Sequence, residues 1–528
     1  MKSIKYLFSI LFTSALLLGC YKDKGNYEYT PVNKLKDSVV TTLVARIPTK
    51  DSTIVEYLPL FTQTINKDES KLSFEWQKSN PTGQWISYSK VKTLKFSVKA
   101  GSLAERDFFR LITIDNSVGI KYYNDIMINY VQPFVKCWFV LQDDNSKSLL
   151  GTVENMGPSA LVSADAYGKE NAGAVIDGKP RVLMVNGLYN SFTSTGSWPF
   201  ASLYVFTDQG GKFYNAGNLT PLLNYTGFMR QYTGTPNPTK AYWYTSREAI
   251  LDKGELWQQG GATRFYMAPL DGTLPILSHN FTGGAFIYNA MILFDELNKR
   301  FLYFNNAGNS YSSSNTNPEN PTTENRTKIT NIPVAGAYPN KFNPTAIGGD
   351  KTFLYGGMSY GLFNFEAKAL IATYSEIDAN KLHVYEFSSN GIRTGTEASC
   401  SAYWPCNPPG ISTASKLATS FAFQRILFYS SGNKIYKLDL NATPVNASVI
   451  YQHPDPTATV TAMRFRTEYN GFSDNGTINW LGIGVMRANG VGSLVELHLK
   501  ASGDLVSGET VQEYSGFKRI VDIAYNNK

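Results

Sequence analysis

The 528-residue chain has few of the residues that most often carry catalysis or metal binding. It contains four histidines, and no two of them lie within four positions of each other. A zinc-protease helix needs two histidines at that spacing, and a phosphate-binding loop needs a glycine-rich stretch that ends in lysine. Neither pattern is present. The sequence therefore predicts no catalytic residue, no metal ligand and no cofactor.

Charged side chains are also scarce, at 17% of the chain. Lysine and arginine number 49 against 42 acidic residues, and this small excess is spread out without a basic run. Nucleic-acid-binding domains concentrate their positive charge in a patch or stripe, so we expect no nucleic-acid partner. The chain is rich instead in tyrosine (33), phenylalanine (31) and glycine (43), which favours strands and tight turns over helices.

One long apolar run is present, and it lies at the amino terminus. Lys2 and Lys5 precede a largely apolar stretch over residues 6–18, which is shorter than the ~20 residues of a membrane-spanning helix. This order is typical of a signal peptide. The run ends at Gly19-Cys20, which resembles the lipobox where bacterial lipoproteins are cleaved and lipidated. We predict a lipoprotein signal peptide over residues 1–19 and lipidation of Cys20. The alternative is an ordinary secretory signal with a chance cysteine.

The residues that follow Cys20 predict where the protein is anchored. Residues 20–30 are polar and are expected to form a tether. The charged residues Lys22-Asp23-Lys24 partly match the export signal of surface lipoproteins. We therefore expect a lipid-anchored protein of the outer membrane that is exposed at the cell surface.

Short alternating runs predict an all-β chain with two domains. Between residues 31 and 132, runs such as Leu72-Ser73-Phe74-Glu75-Trp76 indicate strands with one buried face. About seven such strands in about 100 residues suit an immunoglobulin-like (Ig/PKD-like) sandwich. From residue 135 to 528, hairpin-like segments repeat, and those that begin at Arg300 and Arg425 are similar to each other. Such repeats predict a β-propeller of seven or eight blades.

Three further cysteines follow Cys20. Cys400 and Cys406 flank five residues in a segment rich in Pro and Ser. Outside the cytosol this spacing predicts a disulfide that closes a loop, whereas a zinc site would have only two ligands there. Cys137 begins a strand-like run and is expected to be a buried free thiol.

Aromatic residues in loop-like segments are the candidate ligand-binding residues. Aromatic faces give large contact areas and stack on sugar rings or planar ligands, and arginine pairs with anions. The alternative is that these rings fill gaps between blades. We predict that at least two of the three segments around Trp198, Trp243 and Trp404 line one concave site. The full set is Tyr189, Trp198, Tyr242, Trp243, Tyr244, Arg247, Tyr403 and Trp404.

One apparent catalytic motif is better explained by structure. Gly357-Met358-Ser359-Tyr360-Gly361 matches the pattern of a nucleophile elbow. That motif needs a strand-to-helix turn, whereas a strand-like run over residues 362–365 follows here. We therefore predict a hairpin turn at this position.

Three segments resemble the PKD-like family lipoproteins of Bacteroidota. They are Cys20 to Tyr27, Leu72 to Trp76 and Pro133 to Leu141. In that family an Ig-like module precedes a propeller-like region. The resemblance implies a cell-surface accessory lipoprotein, often paired with nutrient-uptake systems built on TonB-dependent transporters, and it carries over no catalytic residue.

The sequence leaves three functional hypotheses. The first is a non-catalytic binding lipoprotein for a glycan, peptide or metal-chelate ligand, accessory to an outer-membrane nutrient-uptake system. The second is a surface glycan-active enzyme on a propeller. The third is an adhesion or assembly protein.

Overall fold

The structure is a computed structural model that describes most of the chain from residue 33 onward. The described ranges are 33–37, 39–65, 67–102, 105–145, 147–155, 160–186, 192–193, 196–197, 201–244, 247–259, 265–287, 290–305, 328–332, 342–360, 367–388, 400–466 and 479–527. The predicted signal peptide, Cys20 and the tether lie outside these ranges. Within them the chain is nearly all β, as predicted.

The chain divides into two compact units. The N-terminal unit comprises Met1–Ala45, Thr53–Val98 and Leu103–Tyr130. The C-terminal unit comprises Arg46–Ser52, Lys99–Ser102 and Val131–Lys528.

The N-terminal unit contains one five-stranded antiparallel sheet and two strand pairs. Its strands are β1 (Leu35–Asp37), β2 (Thr42–Arg46), β3 (Ser52–Tyr57), β4 (Phe61–Gln63), β5 (Leu72–Ser79), β6 (Trp85–Ser89), β7 (Leu94–Lys99), β8 (Arg106–Asp115) and β9 (Ile120–Val131). The sheet order is β2-β9-β8-β5-β6, and β1 pairs with β4 and β3 with β7. A 3-10 turn, Glu69–Lys71, precedes β5.

The alternation of apolar and polar residues in the sequence predicts which side chains form the core of this unit. In β7, Leu94, Phe96 and Val98 are buried and the residues between them are exposed. Trp76 of β5 is fully buried, and its indole N–H donates to the carbonyl of Lys92 at 3.1 Å. Period-two burial confirms the predicted Ig-like β region.

Among the described residues, the C-terminal unit contains seven sheets of four or five strands, called sheets one to seven, and one two-stranded sheet. Their strands are, in chain order, β10 (Cys137–Asp144), β11 (Lys147–Asn155), β12 (Ala160–Ser163), β13 (Ile176–Asp177), β14 (Pro180–Asn186), β15 (Phe192–Thr193), β16 (Gly196–Ser197), β17 (Ser202–Thr207), β18 (Gly210–Asn215), β19 (Pro221–Asn224), β20 (Pro238–Tyr244), β21 (Arg247–Asp252), β22 (Glu255–Gln259), β23 (Phe265–Met267), β24 (Phe281–Ile287), β25 (Ala290–Asp295), β26 (Arg300–Asn305), β27 (Ile329–Asn331), β28 (Thr352–Tyr360), β29 (Lys368–Tyr374), β30 (Leu382–Ser388), β31 (Cys400–Cys406), β32 (Leu417–Ala418), β33 (Ile426–Ser431), β34 (Lys434–Asp439), β35 (Asn446–Gln452), β36 (Thr459–Phe465), β37 (Trp480–Met486), β38 (Gly492–His498), β39 (Gln512–Phe517) and β40 (Arg519–Asn526). Two short helices, α1 (Ala166–Glu170) and α2 (Tyr225–Phe228), and a β15–β16 hairpin lie between strands.

The sheets follow one another along the chain. Sheets two to seven have the orders β14-β17-β18-β19, β20-β21-β22-β23, β24-β25-β26-β27, β28-β29-β30-β31, β32-β33-β34-β35 and β36-β37-β38-β39. Sheet one has the order β40-β10-β11-β12, so β40 supplies its first strand. β40 is antiparallel to β10, with Cys137 opposite Asn526 and Trp138 opposite Tyr525. Both ends of the C-terminal unit therefore meet in one sheet.

The first strands of the seven sheets contact each other in cyclic order. β14 contacts β20, and the contacts continue through β24, β28, β32 and β36 to β40, which contacts β14. Neighbouring sheets also share buried apolar clusters, including one between sheets one and two and another between sheets seven and one. Since these sheets bury both faces, strands such as β10 and β25 are buried along most of their length. Their continuous apolar sequences follow from that burial.

Buried carboxylates tie neighbouring sheets together. The indole N–H of Trp138 in sheet one donates to Glu496 of sheet seven at 2.6 Å, and Arg466 pairs with the same carboxylate at 2.6 Å. Between sheets five and six, Arg425 donates twice to Glu386, at 2.8 and 2.9 Å. Charge-assisted bonds of this kind are stronger than neutral hydrogen bonds.

The predicted disulfide between Cys400 and Cys406 is wrong. The two residues are the ends of β31, which pairs with β30 as one extended strand. Six residue steps at ~3.3 Å place their Cα atoms about 20 Å apart, whereas a disulfide requires about 5.5 Å. β31 lies at the edge of its sheet, where Pro405 removes no essential ladder bond. The Pro and Ser content that indicated a loop therefore belongs to an edge strand.

The other cysteine prediction is confirmed. Cys137 is fully buried in β10 and is a free thiol. Burial raises the pKa of this thiol well above its usual value. A buried, protonated thiol packs as a small apolar side chain and is a poor nucleophile.

The serine of the apparent nucleophile motif lies within a strand. Gly357 to Tyr360 belong to β28, so these residues form neither an elbow nor the predicted hairpin turn. Ser359 is buried, and its hydroxyl accepts the backbone N–H of Arg425 at 3.3 Å. Its role is structural.

Two first strands approach closely at a pair of glycines, and this contact supplies a test. A Cβ added to Gly356 of β28 would lie 2.1 Å from the carbonyl oxygen of Gly284 in β24. We expect Gly356→Ala to lower the free energy of unfolding by about 1–3 kcal/mol, because backbone must move to relieve the clash. Urea unfolding measures the loss. Gly349→Ala is the control, since a Cβ there meets nothing within 4 Å. Equal stability of the two variants would contradict the close approach.

Candidate functional site

The first strands of the C-terminal unit line a cavity of about 460 Å³. Strands β14, β20, β28, β36 and β40 and the segment that leads into β32 all contribute to its wall. We call this space the central cavity. Its lining residues are Arg181, Val182, Thr239, Lys240, Ala241, Tyr242, Phe353, Leu354, Tyr355, Gly356, Thr413, Ser415, Lys416, Leu417, Thr461, Ala462, Met463, Arg464, Val521 and Asp522. Its volume falls in the range of small-molecule sites.

The charge of the central cavity is strongly positive. Four cationic side chains line it, Arg181, Lys240, Lys416 and Arg464, against the single carboxylate of Asp522. They come from different strands, so the assembled sheets concentrate a charge that is dispersed along the sequence.

Asp522 is already engaged by its neighbours. Its Oδ2 accepts the backbone N–H of Leu183 at 2.8 Å and lies 3.7 Å from Nη2 of Arg464. Nη1 of Arg464 donates to the carbonyl of Leu183 at 3.1 Å. These contacts join β14, β36 and β40 and fix the position of the arginine. The single negative charge of Asp522 compensates only part of the positive charge of the four cationic side chains.

The positive charge of the cavity affects the pKa of Lys240. It is half-buried in β20. Burial lowers the pKa of Lys240, and the positive charges of Lys416 and Arg464 lower it further, while Asp522 acts in the opposite direction. Like charges lower the pKa of an ammonium group because they disfavour its charged form. Three cations therefore act on one region of the cavity.

Aromatic rings and hydroxyls complete the wall. The hydroxyl of Tyr242 accepts the backbone N–H of Gly284 at 3.1 Å. The hydroxyl of Tyr355 accepts the backbone N–H of Thr419 at 3.0 Å. These bonds hold both tyrosines in place. The cavity thus combines cations, fixed rings and hydroxyls from threonine and serine, which suits a polar ligand with an apolar face.

A second cavity of about 360 Å³ continues from the first. It shares Arg181, Lys416, Thr461 and Val521 with the central cavity and adds Lys179, Arg519 and Asp143. A third, of about 460 Å³, includes Lys179, Lys518 and Arg519 together with Asp143 and Asp144. Ion pairs of 3.8 Å for Arg519–Asp143 and 3.6 Å for Lys518–Asp144 are solvent-exposed there.

The predicted aromatic candidates separate into different places. Tyr189 and Trp198 lie outside the described residues. Tyr242 lines the central cavity, whereas Trp243, the next residue of β20, packs against the apolar cluster between sheets two and three. Tyr244 and Arg247 are directly opposite each other across β20 and β21. These residues lie in strands, although the sequence predicted loops.

Tyr403 and Trp404 lie in the edge strand β31 of sheet five. Tyr403 stacks on Tyr385 with ring centroids 5.1 Å apart, and its hydroxyl is 2.8 Å from Nδ1 of His383. The guanidinium of Arg425 lies 5.4 Å from the ring centre of Trp404. Neither residue lines the central cavity, and Trp404 and Trp243 belong to separate apolar clusters. The structure does not bring these two tryptophans together.

The cationic residues of the cavity were missed by sequence reasoning. Each is a single basic residue, as in Met463-Arg464-Phe465, and no basic run marks them. A weak signal exists, because a lone charge inside a strand with apolar neighbours requires a polar environment in the fold.

A buried carboxyl lies between sheets two and three. Glu248 of β21 is 2% exposed, and the side-chain amide of Asn186 donates to it at 3.0 Å. Burial raises the pKa of Glu248 to about 7, although hydrogen bonds from Asn186 and Tyr204 act to lower it. A raised pKa is typical of general acids. Glu248 does not line the central cavity, so no ligand approach is visible for such a role.

Two searches of the described residues give negative results. No group of three or more His, Cys, Asp or Glu side chains in them is placed to hold a metal ion. None of their helices is both long enough and apolar enough to cross a membrane.

The amino-terminal third of the chain matches a known family. The model described as the PKD-like family matches residues 20–180. This match confirms the PKD-like resemblance over residues 20–180, which include strands β1 to β13. No curated protein matches the chain.

Solved structures resemble the chain only distantly. A quinonprotein alcohol dehydrogenase-like protein from Bacteroides thetaiotaomicron is 11% identical, with a TM-score of 0.43, and the alignment covers 91% of this chain and 96% of that one. A Synechocystis apocarotenoid oxygenase mutant is 8% identical, with a TM-score of 0.29 and coverage of 86% and 92%. A mutant Aleuria aurantia lectin in complex with alpha-methyl-L-fucoside is 10% identical, with a TM-score of 0.30 and coverage of 78% and 91%. These likenesses carry no argument about function.

Proposed function

We propose that this protein is a non-catalytic binding lipoprotein, anchored at the cell surface as an accessory to an outer-membrane nutrient-uptake system. Its C-terminal unit is a closed β-propeller of seven blades, and the central cavity is its ligand site. The cyclic contacts among first strands and the completion of sheet one by β40 support this architecture. The N-terminal PKD-like unit serves as a spacer between the anchor and the propeller.

The observation that carries the binding role is the central cavity itself. Several first strands converge on it with cations, rings and hydroxyls, and apolar clusters fill the spaces between neighbouring sheets. Propellers are built around such a central channel. A glycosidase would need two carboxyl groups facing the substrate. The described cavity wall has one, Asp522, and that group is engaged by Leu183 and Arg464.

The anchoring role is supported by the amino-terminal sequence. The PKD-like match begins at residue 20, the predicted lipidated cysteine. A lipid at Cys20 and a polar tether would hold the binding unit beside a membrane transporter. A TonB-dependent transporter is the proposed partner, and the ligand is a glycan, peptide or metal chelate.

The anchor is tested by substitution of Cys20. We expect Cys20→Ala to incorporate no labelled palmitate and to leave the membrane fraction, because the thiol that takes the lipid is gone. Labelling and outer-membrane fractionation measure both effects. Cys406→Ser is the matched control and should remain lipidated and membrane-bound. A Cys20→Ala protein that still fractionates with the outer membrane would disprove the lipidation site.

The binding role is tested by a ligand screen. Glycans, peptides and ferric chelates are titrated against soluble protein that starts after residue 20, and each ligand is recovered and analysed after incubation. Saturable binding of an unaltered ligand supports the proposal. Conversion of the ligand would favour the glycan-active enzyme, and binding to a protein surface alone would favour adhesion or assembly.

A further inference from the structure

We propose that the central cavity binds the carboxylate or sulfate group of an acidic sugar. This inference rests on the proposed binding function and specifies its ligand class. The oxyanion is held where Lys240, Lys416 and Arg464 converge. The sequence leaves a glycan, a peptide and a metal chelate open as ligands. This inference selects a glycan, and it selects a charged glycan over a neutral one.

The excess of positive charge among the residues that line the cavity supports an anionic ligand. Four cations line the cavity against one carboxylate, and that carboxylate already accepts a backbone N–H and lies beside Arg464. Mutual repulsion among these cations, three of which are partly buried, costs more than it would in bulk water. A bound anion removes this cost and gains charge-assisted hydrogen bonds. Burial is the main cause of the lowered pKa of Lys240, and the charges of Lys416 and Arg464 lower it further.

The other residues that line the cavity support a sugar as the molecule that carries the anionic group. The aromatic residues Phe353, Tyr242 and Tyr355 and the hydroxyl residues Thr239, Thr461 and Ser415 line the same space. The hydroxyls of Thr239 and Thr461 each donate to a backbone carbonyl at 3.3 Å, so they can accept a hydrogen bond from a ligand. A sugar has an apolar face that stacks on rings and hydroxyls that exchange hydrogen bonds. A volume of about 460 Å³ leaves space for such a molecule beyond the anion itself. A free inorganic ion would use the cations alone.

The approach to the cavity supports the same ligand charge. The adjoining cavity adds Lys179, Arg519 and the carboxylate of Asp143, and it shares Arg181 and Lys416 with the central one. Its lining therefore has four cations against one carboxylate. Clefts lined by one sign of charge raise the local concentration and the association rate of ligands of the opposite sign. The net charge of the adjoining cavity therefore favours an anionic ligand, as that of the central cavity does.

The test uses three probes and calorimetric titration of the soluble protein. Glucuronate carries the anion on a sugar, glucose is its neutral counterpart, and sulfate is the free anion. Lys240→Gln and Lys416→Gln each remove one positive charge from the wall. Lys434→Gln is the matched control, because Lys434 lies in β34 away from the cavity. Thermal unfolding of all variants establishes that they fold.

We expect glucuronate to bind, glucose to bind at least about tenfold more weakly, and each wall substitution to weaken glucuronate binding about tenfold. The control should bind like the parent, and added salt should weaken binding. If Lys240→Gln does not fold, the comparison stands on Lys416→Gln. Binding of sulfate without glucuronate would retain the anion site and overturn the sugar assignment. Glucose binding that the lysine variants leave unchanged would overturn the inference while sparing the proposed binding function. If no ligand in the wider screen binds, both this inference and the proposed binding function are overturned.

Discussion

Replacing Glu386 with glutamine is expected to destabilise the C-terminal unit by about 3–5 kcal/mol, because it leaves partly buried cations without their anion. The Glu386 side chain is fully buried. It accepts two hydrogen bonds from Arg425, at 2.8 and 2.9 Å, and one from Ser401 at 2.6 Å. Lys368 lies 3.6 Å away. Since Arg425 directly precedes β33 of sheet six, the loss weakens the junction between sheets five and six.

Urea unfolding of the soluble protein measures the effect. Glu509→Gln is the control, because its carboxylate pairs with His498 at 2.7 Å but is about half exposed. Exposed pairs contribute about 0–1 kcal/mol, so this variant should unfold almost like the parent. Equal midpoints for both variants would mean that Glu386 does not hold the two sheets together.

The stabilising role of Glu386 also has a pH dependence. Burial alone would raise the pKa of Glu386, but hydrogen bonds from Arg425 and Ser401 and the charge of Lys368 bring it below the usual value. A lowered folded-state pKa means that the stabilisation is present above the unfolded-state pKa. It is lost as the pH falls through the folded-state pKa.

Glu248→Gln is expected to have the opposite effect above neutral pH. Burial raises the pKa of Glu248 to about 7 from an ordinary 4.5. The folded chain then binds this proton more tightly than the unfolded chain, so stability falls as the pH rises from 4.5 to about 7. Glutamine carries no charge to bury. We expect the variant to be more stable than the parent at pH 8 by up to ~3 kcal/mol, with little difference at pH 4.

Unfolding midpoints across this pH range check the prediction. Glu255→Gln, a half-buried carboxyl in the neighbouring strand β22, is the control and should follow the pH profile of the parent. A constant difference between Glu248→Gln and the parent at every pH would show that the pKa of Glu248 is the same in the folded and unfolded chains.

Much of the fold was predictable because its signals are local. Period-two burial in β7 follows directly from alternating residues, and the hairpin of β33 and β34 follows from apolar runs around Gly432-Asn433. The segment from Cys400 to Cys406 failed because Pro and Ser are as compatible with an edge strand as with a loop. Its strand state depends on β30, which no local pattern specifies.

The candidate site was much less predictable. The sequence predicts Tyr242 as a ligand-binding residue in a loop-like segment, whereas it lies in β20 and lines the central cavity. Arg181, Lys240 and Arg464 come from three different sheets, and they meet only because the first strands of those sheets adjoin one central space. Such a charge cluster is a property of assembly. No single short segment, of the length from which a strand can be predicted, contains a pattern that predicts this charge cluster.

The pairing of β10 with β40 constrains the order of events during synthesis. Sheets two to seven use strands that follow one another along the chain, so each can form soon after its residues emerge. Sheet one begins at Cys137 but lacks its first strand until residues 519–526 have been made. Throughout that interval one edge of β10, an apolar strand, is open to pairing with other chains. The nascent protein is therefore most prone to aggregate before β40 arrives, and shortening it by that one strand should harm yield far more than its eight residues suggest.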